Sequence, residues 1–337
     1  MAILLRCIRH RENIPIQQAL LYCTCLAVAF VASLYVIVPR RIRSLPRDDV
    51  RQIQWRAGAT GVVAVLSWIS YPYLFCEKND DDDEEESVWS MVVSILQHQI
   101  QHELVASLKI LLHTGILYFG PLIQYSLHIL LLNRRIHENA NSGLCPRPPS
   151  FLSTCYTTFW KPTLQKLLDP QQQQERWILL RNLVLAPLTE EFVFRGCMVP
   201  VLYHALLLHQ NGQHRVARTS WCAPCWFGIA HVHHGFVQWR SRNTTTTTAS
   251  TILLVTTAQF LYTTLFGAYV SYAYLRQHSI LAVVVCHAWC NWMGLPDVTS
   301  YHSPNSHLYP YRYLLVGGFV TGMVGFYVLG WVLPWLP

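Results

Sequence analysis

A chain of 337 residues has room for one large domain or two ordinary ones. Hydrophobic residues make up 52% of it and charged residues 13%, against roughly 25% charged in a soluble domain, so too little charge is available to cover a water-facing surface. That excludes a soluble globular protein and a disordered chain, and the net charge of +7 does not indicate nucleic-acid binding, because the arginines fall in short clusters between apolar runs instead of along one face.

A spanning helix needs about 20 mainly apolar residues, and about eight runs approach that: 17–38, 57–75, 104–132, 178–209, 222–239, 251–275, 280–295 and 313–334. The expected fold is therefore all-α, a polytopic membrane protein whose helices enclose an intramembrane cavity. The first run is too long for the apolar stretch of a cleaved signal and reads as a retained span. The run 104–132 is too long for one simple span, and its Gly120-Pro121 predicts a kink or a split. The short runs 222–239 and 280–295 make sense only as buried spans.

Arg40, Arg41, Arg43, Arg47, Arg51 and Arg56 follow the first span, whereas Arg6, Arg9 and Arg11 precede it, which assigns the later loop to the cytosol. The acidic run Asp80–Glu86 then reads as a solvated loop on the far side. Gln171–Gln174 and Thr244–Thr248 read as low-complexity insertions in loops, and the sequon Asn243-Thr244-Thr245 would face the cytosol, where it goes unused. Residues 1–176 form an N-terminal membrane region with polar loops. Residues 177–337 form a core that carries the chemistry, plus a last span. The odd count of eleven cysteines shows no disulfide framework, and the lone Cys222-Ala-Pro-Cys225 reads as packing.

Charged groups inside spans are expensive and mark function. No aspartate lies inside a run, no H-E-x-x-H occurs, and no G-x-S-x-G occurs, which removes aspartate-pair, zinc-helix and serine-elbow proteases. What remains is Glu190 and Glu191 deep in 178–209, with Arg195 behind them. Glu191 and Arg195 stand at i and i+4 and can neutralise each other. Glu190 is rotated by about 100° and is free to face a cavity as a general base. Phe227 and His231 share one face of a second run, where Gly228 permits close approach. His287 and Asn291 share one face of a third. The depths of Glu190, His231 and His287 along their runs predict convergence. His233 and His234 read as rim residues.

The ordered set Glu190-Glu191-Phe-Val-Phe-Arg195, Phe227-Gly-Ile-Ala-His231 and His287-Ala-Trp-Cys-Asn291 resembles the type II CAAX prenyl endopeptidases, the Ras-converting enzymes of the endoplasmic reticulum. The resemblance covers about 178–295. It implies removal of the last three residues of a prenylated CAAX protein such as a Ras-type small GTPase. It also implies water activated by Glu190 and His231, an oxyanion held by His287 and Asn291, and a site opening to the cytosol. Glu191, Arg195 and Phe227 are supporting residues, and the partners are prenylated C-termini and the bilayer, with no nucleic acid. No cofactor is expected. Two alternatives stay open: zinc on Glu190, His231 and His287, a legitimate ligand set, and a scaffold or transporter with a buried Glu–His network.

Overall fold

The computed structural model describes residues 14–75, 88–141, 150–206, 212–241, 248–299 and 301–331. The acidic run, the sequon and most of the threonine run lie outside them. Among the described residues there are helices and no strands. In chain order they are α1 (Ile16–Val36), α2 (Arg40–Arg43), α3 (Val50–Phe75), α4 (Val88–Leu117), α5 (Phe119–Asn141), α6 (151–168) and α7 (173–205), followed by α8 (Gly212–His231), α9 (His233–Ser241), α10 (Ala249–Gln277), α11 (Ile280–Met293) and α12 (Arg312–Trp331).

Three helical stretches among the described residues are long and apolar enough to cross a membrane by themselves: Ile16–Val36, Ala249–Gln277 and Tyr309–Gly330. A fourth candidate is the run 104–132, where Gly120-Pro121 predicts a kink or a split. It bends by 73° between Gln99–Leu117 and Phe119–Glu138. The break falls at Tyr118, just ahead of Gly120-Pro121, because a proline is tolerated in the first turn of a helix, where its missing N–H has no acceptor to lose. The run 222–239 is also divided, at Val232, between α8 and α9. At about 1.5 Å per residue, the 14 residues of α11 reach about 21 Å, well short of a hydrocarbon core of about 30 Å. Gln171–Gln174 do not form the loop that their composition led us to expect. Asp169 accepts from Gln171 N at 2.9 Å and starts a short 3-10 turn that leads into α7. The reason is local: an aspartate before Pro170 is a ready helix cap.

The chain packs as two compact units, each built from two separate stretches: 1–107 with 184–287, and 108–183 with 288–337. In the first unit, α1 packs on α3 and on α8, and α8 lies along α10. The core here is the second half of α7, where Val193, Phe194, Cys197, Met198, Val199, Val201 and Leu202 are all buried. Two segments of α7 are wound as wider π turns, Arg181–Leu185 and Phe192–Met198. Pro187 and Pro200 each follow such a segment by two residues. A proline ring clashes with the carbonyl four residues back, and a wider preceding turn relieves that clash.

In the second unit, α5 packs on α12 through glycines. A Cβ at Gly322 would stand 2.7 Å from the Ile116 carbonyl oxygen, and one at Gly120 would stand 2.8 Å from Phe319 N. Gly318-Phe-Val-Thr-Gly322 is a small-xxx-small pattern, which lets helix backbones approach where lipid offers no hydrophobic drive to association. Along α1, α10 and α12 many large apolar side chains, among them Leu21, Leu254 and Met323, remain exposed, the surface a bilayer would cover.

Candidate active site

The first unit brings Glu190, Glu191, Arg195, Phe227, His231 and His287 together from α7, α8 and α11. Glu191 is fully buried and Arg195 is 1% exposed. The i,i+4 pair expected from their spacing is formed: Arg195 Nη1 donates to Glu191 Oε1 at 3.2 Å, and Arg195 Nε lies 3.2 Å from Oε2. The guanidinium also stacks 4.2 Å above the Phe227 ring, a cation–π contact that fixes its plane. Phe227 is pinned edge-on by Phe194, itself edge-on to Phe30 of α1.

Glu191 does more than neutralise Arg195. Its Oε1 also accepts from His287 Nδ1 at 2.7 Å. The carboxylate thus sets the orientation of an imidazole on another helix. The spacing of motifs could not show this, since the two residues are 96 positions apart.

Glu190 faces the other way, as its rotation on the helix predicted, and its side chain is 18% exposed. Its Oε2 lies 4.0 Å from His231 Nε2 and 3.9 Å from His287 Nε2. These separations are too long for direct hydrogen bonds and suit one bridging water. His231 Nδ1 is 2.7 Å from the Phe227 carbonyl, so this nitrogen carries the proton and donates, leaving the Nε2 lone pair toward Glu190. The phenylalanine of F-x-x-x-H therefore acts twice: its ring holds Arg195 and its carbonyl sets the His231 tautomer.

Asn291 stands one helical turn beyond His287 on α11. It belongs to the second unit, where its amide donates to the Asn182 carbonyl at 2.9 Å. His233 Nδ1 bonds to the Ala230 carbonyl, and the His233 ring lies edge-on to Tyr35.

Glycines bring α10 close to the site. A Cβ at Gly267 would stand 2.9 Å from Pro224 Cβ and 3.1 Å from Arg195 Nη2, and one at Gly228 would collide with the Thr264 hydroxyl. Gly228 thus provides the close approach expected of it. Phe266 of α10 packs edge-on against the His287 ring at 5.1 Å between centroids. Nothing in the sequence separates Phe266 from the other phenylalanines. Glu103 was also missed. Its carboxylate accepts from the Ser279 hydroxyl and from Leu281 N at 3.2 Å, while the Ser279 oxygen accepts from Ala282 N at 3.0 Å. Together they cap the start of α11, four turns of helix that carry His287. A glutamate at the polar edge of an apolar run was the only signal.

Zinc donors at 2.0–2.1 Å in a tetrahedron lie about 3.3 Å apart. The gaps around Glu190 are wider, and among the described residues no group of three or more His, Cys, Asp or Glu is spaced to hold a metal. Cys222 and Cys225 lie exposed on α8 with free thiols and are not the packed residues expected from their apolar surroundings.

Comparison with known proteins agrees with the motifs. The family described as type II CAAX prenyl endopeptidase Rce1-like matches residues 172–293. The human CAAX prenyl protease 2 is 31% identical over 307 residues, 91% of this chain and 78% of the relative. The Arabidopsis thaliana CAAX prenyl protease 2 is 27% identical over 316 residues, 93% of this chain and 89% of the relative. The probable CAAX prenyl protease 2 of Schizosaccharomyces pombe is 38% identical over 121 residues, 36% of this chain and 41% of the relative. No solved structure gives a significant match. With E-E-x-x-x-R, F-x-x-x-H and H-x-x-x-N on helices of an all-α membrane protein, and with a relative 31% identical over most of both chains, the chain is a protease of the type II CAAX prenyl endopeptidase family.

Proposed function

We propose that this protein removes the C-terminal aaX tripeptide from prenylated CAAX proteins in the endoplasmic reticulum membrane, through a site open to the cytosol, with Glu190 as general base. The observation that carries the mechanism is the position of Glu190 Oε2, at water-bridging distance from the Nε2 atoms of both His231 and His287. A water there donates one proton toward Glu190 and the other toward the His231 Nε2 lone pair. Its oxygen is then aimed and activated for attack on the scissile carbonyl carbon. Glu190 takes the proton as the C–O bond forms and returns it to the leaving amine as the C–N bond breaks.

The carbonyl oxygen becomes an oxyanion and needs donors. His287, in the form that carries a proton on both nitrogens, donates from Nε2 while Glu191 balances the charge at Nδ1. Asn291, one turn on along the same helix, carries an amide with two protons, one of which is engaged by the Asn182 carbonyl, and is the second donor of this reading. The prenyl chain explains the setting: apolar helices receive the lipid, and the polar peptide end reaches the carboxylate. The arginines of 40–56, against fewer before the first span, support the cytosolic opening.

The test is cleavage of a farnesylated CAAX peptide by purified wild type and by Glu190→Ala, each before and after metal stripping. Removal of a general base costs about 10²–10⁴-fold in rate, and stripping should leave wild type unchanged. Cleavage by a folded Glu190→Ala protein at the normal rate rules out Glu190 as the base. Activity lost on stripping and restored by zinc makes Glu190 a ligand instead.

A further inference from the structure

Away from the catalytic cluster, the first unit holds a cavity of about 600 Å³ between the end of α1, α2 and α9. It is lined by Arg40, Arg43 and Arg240, with Tyr35, Ser44, Phe236 and Val237 completing the wall. No carboxylate lines it. None of the three arginines has an ion-pair partner among the described residues, whereas Arg51 nearby is taken by Asp49, whose carboxylate accepts from its backbone N at 2.9 Å and lies 3.3 Å from its Nε. The Arg43 Nε is sealed from solvent and makes no hydrogen bond. Guanidinium groups without an ion-pair partner keep strong donors for an anionic acceptor that enters the cavity.

The surroundings say what kind of anion. α1 is a candidate membrane span and ends at Val36, which is 79% exposed. Ile37, Phe236, Val237 and Trp239 present further exposed apolar surface beside the arginines. Apolar surface that gives way to arginines and a tryptophan is the pattern of a bilayer interface, the depth at which lipid phosphates lie. The volume falls in the range of ligand pockets, about 300–1,000 Å³, and accommodates a headgroup with its glycerol rather than a bare ion alone.

We propose that this cavity is a binding site for the phosphate headgroup of an anionic membrane lipid, held by Arg40, Arg43 and Arg240. Guanidinium forks match phosphate oxygens two at a time, and three of them exceed the single charge of a phosphodiester, which selects lipids with net negative charge over zwitterionic ones. The site is separate from the reaction. Its occupant clamps α2 to α9, the helix that begins two residues after His231, so the lipid braces that side of the catalytic cluster.

The experiment is native mass spectrometry of the whole protein released from micelles that contain equal phosphatidylglycerol and phosphatidylcholine. It is run with wild type, with the exposed single variant Arg240→Gln, and with Arg40→Gln/Arg43→Gln/Arg240→Gln. A fourth variant, Ser44→Trp, fills the cavity and keeps the charge. Wild type should retain phosphatidylglycerol at least tenfold over phosphatidylcholine. Arg240→Gln should cut that preference severalfold, and the triple variant and Ser44→Trp should abolish it. Equal retention of the two lipids by wild type overturns the proposal, as does an unchanged preference in Arg240→Gln and Ser44→Trp. A parallel arm adds millimolar inorganic phosphate. Retained phosphatidylglycerol supports a lipid site, and complete displacement shows a site for free anions and sinks the lipid assignment.

Discussion

The two neighbouring glutamates carry the same chemistry and sit in opposite circumstances. Glu191 is enclosed and already committed to Arg195 and His287, whereas Glu190 is 18% exposed and its carboxylate lies 3.9–4.0 Å from the nearest histidine nitrogens among the described residues. Substitution should therefore separate folding from catalysis. Glu191→Gln leaves the Arg195 guanidinium buried and unpaired, a loss of about 3–5 kcal/mol when one partner of a buried pair is removed. Glu190→Gln removes a partly exposed charge with no tight partner and should change stability by about 0.5 kcal/mol or less. Thermal unfolding of both variants in micelles measures this, and the two should differ by many degrees while both lose cleavage. Equal, near-wild-type stability would show that Glu191 braces nothing. Half of this arrangement was legible in the sequence. The i,i+4 spacing of Glu191 and Arg195 and the rotation of Glu190 follow from helix period alone. The Glu191–His287 bond and the Phe227 contacts to Arg195 join different helices, and no local period encodes which helices meet.

Among the helices, the aim of α11 decides where His287 stands. The helix is too short to be held by the bilayer, so its direction is set at its start. α10 ends at His278 with positive φ, Ser279 follows as a cap, and Glu103 from α4 receives both the Ser279 hydroxyl and the Leu281 N–H. Negative charge at a helix start is favourable against the helix dipole, and loss of a cap costs about 1 kcal/mol. Glu103 acts through this cap on His287 and is a positioning residue. Glu103→Ala should lower kcat for peptide cleavage severalfold with little change in KM. Glu103→Gln, which keeps an acceptor oxygen but no charge, should fall between it and wild type. If Glu103→Ala and Glu103→Gln both keep the wild-type kcat, the cap has no bearing on the site. The sequence showed the existence of these helices better than their interruptions. Gly120-Pro121 marked a break near α4 and α5, because proline acts locally. The wider turns of α7 and the split at Val232 went unseen, since an apolar pattern at 3.6 residues per turn does not resolve a turn of slightly different width.

Over the whole molecule, the motifs and the compact units follow different rules. A linear division near 176 marks where the motif-bearing segment begins. Packing instead joins 1–107 to 184–287, because a buried helix such as the second half of α7 needs neighbours on every side and the chain supplies them from its first spans. Those neighbours touch the motif helices directly. Cys23 Sγ lies 3.9 Å from the Met198 carbonyl, Phe30 meets Phe194 edge-on, and Trp226 Nε1 donates to the Thr24 hydroxyl at 3.1 Å. α3 packs on the same segment of α7. Residues 172–293, which carry the family match, should therefore be insufficient for activity. A chain spanning 88–337 keeps every motif but lacks α1 to α3, and should insert in membranes yet fail to cleave a farnesylated peptide. Membrane helices form independently and then associate, so a separately expressed 1–87 fragment can still find its place. Co-expression of the two pieces should restore cleavage well above the background of either alone. If 88–337 alone cleaves at the wild-type rate, the first spans are not part of the catalytic support. If co-expression restores nothing although both pieces are present in the membrane, the packing of α1 on α7 and α8 is not strong enough to assemble the site without the covalent chain.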